Sequence, residues 1–257
     1  LQPIYGKIQD RKGEAAALKG TLRGRERRMG LLMAGLVLVA AVVCGRNGGV
    51  REAASKQANH TDSRLVIIDA GHGGDDPGKI GVDGVQEKDL NLKMALALRD
   101  LLEQQDVEVL MTREDAGGLY DERTSNKKVQ DMRRRCELIN REKPACVISI
   151  HKNSYHEESI HGAQVFYYKT SKESGELAKI LQKELARVVE PTNHRQAKAN
   201  DTYYLLKKTE APTVIVECGF LSNWDECAKL QNEEYQAKLV WAIQMGVLKY
   251  LNSNKFT

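Results

Sequence analysis

Short apolar runs alternate with longer amphipathic ones from residue 65 to residue 251, and this alternation limits the possible folds more than any other feature. Six runs read as strands: 65–69, 107–112, 146–151, 163–168, 202–206 and 213–217. Four longer stretches read as helices with one apolar face. Residues 89–103 align Leu90, Met94, Leu98 and Leu101/Leu102, and 122–142 align Val129, Met132, Cys136 and Ile139 before Pro144 stops the helix. Residues 172–189 align Leu177, Leu181, Leu185 and Val188, and 233–251 align Leu239, Ile243, Val247 and Leu251. Repeated strand–helix units predict an α/β fold: a single three-layer domain with a mixed, mostly parallel sheet of about six strands flanked by helices. In such sheets, sites gather at the carboxyl ends of strands.

The chain upstream of this pattern has a different character. The 257 residues carry 39 Lys+Arg and 35 Asp+Glu, a net charge of +4. Residues 1–28 alone hold eight basic and three acidic side chains, or +5, which leaves −1 for the remainder. The basic excess therefore belongs to the N-terminal segment. With aromatics at 5%, the body has neither the charge nor the stacking surface of a nucleic-acid binder, so no nucleic-acid partner is expected. The 17 residues between Arg28 and Arg46 are uncharged. Behind a basic cluster, the apolar stretch 29–45 reads as a signal peptide or a signal anchor that sends the rest of the chain across a membrane. If uncleaved, it holds the protein at the membrane, with the rest of the chain exported. Polar residues 46–63 read as a linker, and 64–257 as the functional domain. The five cysteines (Cys44, Cys136, Cys146, Cys218, Cys227) form no C-x-x-C pair and read as small buried hydrophobes.

The ionisable residues at the predicted strand ends suggest chemistry. His72 lies just past the first strand, His151 ends the third, and Glu217 ends the last, while Glu87 stands where the first helix begins. Two imidazoles and two carboxylates brought together match a catalytic zinc site, which takes three His or carboxylate ligands and leaves one position for water. His72, Glu87 and His151 would be the ligands. Glu217 would be the base that takes a proton from water and passes it to the leaving amine. Blander readings of the same residues stand beside this one: strand-end histidines bonded to neighbours, Glu87 as a helix-dipole partner, Glu217 in a salt bridge.

Four segments carry a resemblance: Ile68-Asp-Ala-Gly-His72-Gly-Gly, Glu87-Lys-Asp-Leu-Asn-Leu, Ser149-Ile-His151-Lys-Asn-Ser, and Val216-Glu217-Cys-Gly-Phe-Leu-Ser-Asn. The chain closely resembles the zinc-dependent N-acetylmuramoyl-L-alanine amidases, often called amidase type 3, over about residues 64–251. The resemblance implies Zn2+ held by His72, Glu87 and His151, with Glu217 as the catalytic carboxylate. It implies hydrolysis of the amide between N-acetylmuramic acid and L-alanine in peptidoglycan. Asn153 matches a family position near the zinc, as a neighbour of the ligands or a substrate contact. Two positions depart from the usual pattern: Ala70 replaces a common Pro, and Lys152 replaces a smaller or apolar residue and is expected to face solvent.

Within the family, the short apolar leader, the lack of wall-binding repeats and the stretch Lys127-Lys-Val-Gln-Asp-Met-Arg133 resemble the germination-specific type that acts on spore cortex. That resemblance implies a polysaccharide deacetylase as functional partner in forming muramic δ-lactam. Two rivals are weighed: a cysteine hydrolase using Cys218 with His151 or His72, and an inactive peptidoglycan-binding module. Residues 190–212 are long and polar and are expected to border a substrate groove. Arg195 and Lys198, like Lys152, are read as solvated surface rather than as contacts to peptide carboxylates.

Overall fold

The computed structural model describes residues 64–253. The segments 1–28, 29–45 and 46–63, with Cys44, lie outside the described residues, as do 254–257. Six strands, β1 (Val66–Ala70), β2 (Val109–Met111), β3 (Cys146–Asn153), β4 (Gln164–Tyr168), β5 (Lys198–Asn200) and β6 (Thr213–Phe220), form one sheet in the order β2-β1-β3-β6-β4-β5. β4 runs antiparallel to β6, and every other neighbouring pair is parallel. β1 and β6 are buried at every position, which is why they read as continuous apolar runs.

Among the described residues, six helices cover the two faces: α1 (Glu87–Glu103), α2 (Lys127–Glu142), α3 (Lys172–Val188), α4 (Tyr204–Lys208), α5 (Trp224–Gln231) and α6 (Glu233–Ser253). Strand alternation assigns each residue to a face. Ile68, Ile148, Val214 and Val216 join Met94 and Leu98 of α1, Leu177 and Leu181 of α3, and Ile243 and Val247 of α6 in the main core. Ile67 and Val147 point the other way, toward Cys136 and Ile139 of α2 and Leu205 of α4. Among the described residues, no helix is long and apolar enough to cross a membrane.

The structure differs from the sequence expectations at three places. The strand expected at 202–206 is a turn followed by α4, and the edge strand lies earlier, at Lys198–Asn200. Asn200 ends that strand because its side-chain oxygen accepts from the backbone N–H of both Thr202 and Tyr203, at 2.8 Å each. The second helix begins at Lys127 rather than 122, capped by Asn126, and Val129 is 61% exposed instead of buried. Its inward face carries Asp131 and Arg135 alongside Cys136 and Ile139. Finally, α5 was not expected at all. Asn223 caps it by accepting from Glu226 N, an Asn-x-x-Glu arrangement that is visible in the sequence.

Candidate metal centre

The parallel strands β1, β3 and β6 end at the same edge of the sheet, and the candidate residues meet there. His151 and Glu217 are direct partners in the β3–β6 register, so their side chains stand side by side on one face. His72 follows β1 by two residues and holds a left-handed backbone (φ 63°), uncommon for a side chain of its size. Two guanidinium groups hold the loop in place. Arg135 Nη2 donates to the His72 carbonyl at 2.7 Å and its Nη1 to the Ala70 carbonyl at 2.9 Å. Arg113 donates to the carbonyls of Ala70, Gly71, Lys88 and Asp115.

Arg135 can be buried because Asp69 and Asp131 face it at 2.6 Å each. Burial opposes ionisation of Asp69, but Arg135, Ser149 and Thr112 outweigh it and hold the carboxyl down at about 2. Glycine is required where the backbone passes the rings: a Cβ on Gly71 would sit 2.3 Å from two ring atoms of His151.

Glu87, 1% exposed, lies between the two imidazoles. Its Oε2 is 3.2 Å from His72 Nε2, and its Oε1 is 3.1 Å from His151 Nδ1. One ligand atom from each of the three residues lies within 4.8 Å of the other two, a cluster that could hold a metal ion. Two nitrogens and a carboxylate oxygen form the donor set of a zinc site with an open position. Burial opposes ionisation of Glu87, yet its hydrogen bonds with His151 and His72 hold its pKa well below the usual carboxylate range. His72 is the converse case, since burial lowers its pKa but Glu87 and Asp76 raise it on balance.

Glu217 stands apart electrostatically. It is 6% exposed, and its Oε2 is buried with no hydrogen-bond partner. Burial pushes its pKa up to about 7; His151 opposes the shift and Glu87 adds to it. Both glutamates, both histidines and Asn153 line one cavity of about 370 Å³, shared with Asp76, Lys128, Tyr203, Tyr204 and Leu205. Tyr203–Leu205 fall in the polar stretch 190–212, which therefore supplies one wall.

The structure corrects one expectation and weighs against one rival. Lys152 does not face solvent: it is 2% exposed and donates from Nζ to Asn91 Oδ1 at 3.0 Å. Cys218 follows Glu217 and so points to the opposite face, into the core with Val214 and Val216. It is fully buried and burial pushes its thiol up to about 11, which is contrary to what a nucleophile needs. Sequence reasoning missed Asp76 and Asn91. Asp76 Oδ2 is 3.0 Å from His72 Nδ1, the arrangement by which a carboxylate orients a metal-binding imidazole. Its place in the His72-Gly-Gly-Asp-Asp76 loop was the available signal.

The family model described as N-acetylmuramoyl-L-alanine amidase matches residues 66–249. The chain belongs to this family. The amidase is 39% identical over 190 residues to the germination-specific N-acetylmuramoyl-L-alanine amidase of Bacillus subtilis, covering 73% of this chain and 79% of that one. Among solved structures, the CwlD amidase from Clostridioides difficile in complex with the GerS lipoprotein is 44% identical, with a TM-score of 0.72 over 74% of this chain and 98% of that one. The N-acetylmuramoyl-L-alanine amidase from Clostridium difficile 630 is 31% identical, with a TM-score of 0.66 over 75% and 99%. The α/β architecture expected from the alternating pattern is thus shared with amidases of known structure.

Proposed function

We propose that this amidase hydrolyses the amide between the lactyl group of N-acetylmuramic acid and L-alanine of the stem peptide, using Zn2+ held by His72, Glu87 and His151. The observation that carries the reading is the three-ligand cluster beside the unpartnered, buried Oε2 of Glu217. When bound, the metal polarises the scissile carbonyl and acidifies water. Glu217 accepts a proton from the attacking water. Its high pKa then lets it return that proton to the departing nitrogen as the C–N bond breaks. The products are a lactyl carboxylate on the glycan and a peptide with a free L-alanine amine. Asp76 holds the His72 ring, and Arg113 and Arg135 hold the loop that carries it. Asn153 lines the cavity beside the ligands and is assigned as a substrate contact.

The germination-specific relative supports a finer reading, maturation of spore cortex. Freeing the lactyl carboxylate supplies one half of a muramic δ-lactam. A polysaccharide deacetylase would free the ring amine that closes it. A lipoprotein partner like that of the CwlD structure is a second candidate for assembly. We assign the domain boundaries as read from sequence: basic segment 1–28, signal or anchor 29–45, linker 46–63 and catalytic domain 64–257. This places the enzyme outside the membrane, against the wall or cortex. Glu217→Gln tests the mechanism: zinc content is retained and turnover falls at least about 100-fold. Wild-type turnover in that variant removes Glu217 from the role.

A further inference from the structure

Lys152 has no part in the mechanism above, yet it is among the most deeply buried side chains in the protein. A lysine in such a place normally has a carboxylate partner. Among the described residues Lys152 forms no ion pair, and its ammonium makes one hydrogen bond, to Asn91 Oδ1 at 3.0 Å. Asn91 is itself fully buried, on α1 one turn after Glu87. Its Nδ2 donates to Glu87 Oε1 at 3.2 Å and to the Gly71 carbonyl, next to His72, at 3.0 Å. The backbone N–H of Lys152 donates to the same Glu87 oxygen at 3.0 Å.

A side-chain amide has a donor end and an acceptor end of nearly equal size, and it can turn through 180° in the same space. Turned the wrong way, Asn91 would present an oxygen to the Glu87 carboxylate and to the Gly71 carbonyl. An ammonium only donates, so at Oδ1 it permits one orientation. We infer that Lys152 is a positioning residue for the metal site: by fixing the polarity of the Asn91 amide, it orients the Glu87 carboxylate and ties it to the loop bearing His72. The inference rests on the zinc reading above. It has a sign that distinguishes it from a charge effect. Removing a positive charge near a cation site strengthens cation binding by electrostatics alone, whereas removing a positioning group weakens it.

The test is zinc affinity of the full chain, measured by competition with a chromophoric chelator, with apo stability recorded in parallel. Wild type, Lys152→Met, Asn91→Leu and the double variant are compared. A methionine fills the space without charge, and such replacements of buried ions are often tolerated. Lys152→Met is expected to bind zinc about 10- to 100-fold more weakly, the usual range for a group behind a ligand. The double variant is expected to be no weaker than Asn91→Leu, because Lys152 acts through Asn91. Unchanged or tighter zinc binding by Lys152→Met overturns the inference, as do losses that multiply in the double variant. Should Lys152→Met not fold, wild-type affinity in Asn91→Leu overturns it equally. If the wild type binds no zinc, the zinc reading itself fails. If it binds and the variants match it, only the role of Lys152 falls.

Discussion

Replacing Glu217 by glutamine is expected to stabilise the metal-free protein at alkaline pH relative to acid pH while removing its activity. The carboxyl is buried, and its pKa rises from 4.5 to about 7 on folding. A raised carboxyl pKa means that the folded state prefers the protonated form. The associated stability is fully present below 4.5 and is lost as pH rises through 7. At about 1.4 kcal/mol per pKa unit, the whole shift is worth about 3 kcal/mol, of which about 2–3 kcal/mol falls between pH 5 and pH 8. Glutamine has the same shape and no ionisation, so it does not carry this penalty. Urea unfolding of wild type and Glu217→Gln, both stripped of metal, is compared at pH 5 and pH 8. The variant's stability relative to wild type is expected to improve by about 2–3 kcal/mol between the two pH values. The pH comparison cancels any fixed cost of burying the amide. A relative stability that does not change with pH refutes the claim that Glu217 ionises at a cost in the folded site.

Three further substitutions probe the support around the candidate ligands. Arg135→Met leaves Asp69 and Asp131 facing an apolar side chain and is expected to cost about 3–5 kcal/mol in denaturant unfolding at pH 7. Arg135 is one of the groups that hold the Asp69 carboxyl down; that contribution is present above 3.8 and is lost as pH falls toward 2, so the difference from wild type narrows in acid. Asp76→Ala releases His72 Nδ1 and is expected to weaken zinc binding about 10- to 100-fold in chelator competition, with little change in apo stability. Gly71→Ala pushes a methyl into the His151 ring and is expected to lower kcat/KM about 100-fold in a muropeptide assay.

The helices and the buried strands were legible in the sequence because their patterns follow from burial. β1 and β6 are apolar throughout because both faces are covered, and α1, α3 and α6 each show a single apolar face. The candidate site was legible because His151 and Glu217 lie toward the carboxyl ends of their strands and His72 follows one, and in this topology those ends share an edge. What stayed hidden depends on particular polar side-chain contacts, local or distant, rather than on the burial pattern. Val129 suited an apolar stripe, but burying Arg135 against Asp69 determined the rotation of α2. Asn200 turned an apparent strand into a turn and helix through two side-chain hydrogen bonds. Lys152 looked like a surface residue because lysines usually are. Its burial depends on Asn91, 61 residues away in the chain.

The most direct test of the account is mass spectrometry of purified peptidoglycan fragments, before and after incubation with the metal-free chain, with the zinc-loaded chain, and with the zinc-loaded chain plus chelator. Zinc-dependent release of stem peptides with a free L-alanine amine is expected, leaving glycan whose muramic acid carries a lactyl carboxylate, and none of either with chelator. Cleavage at another bond, or the same cleavage unaffected by removing the metal, contradicts it.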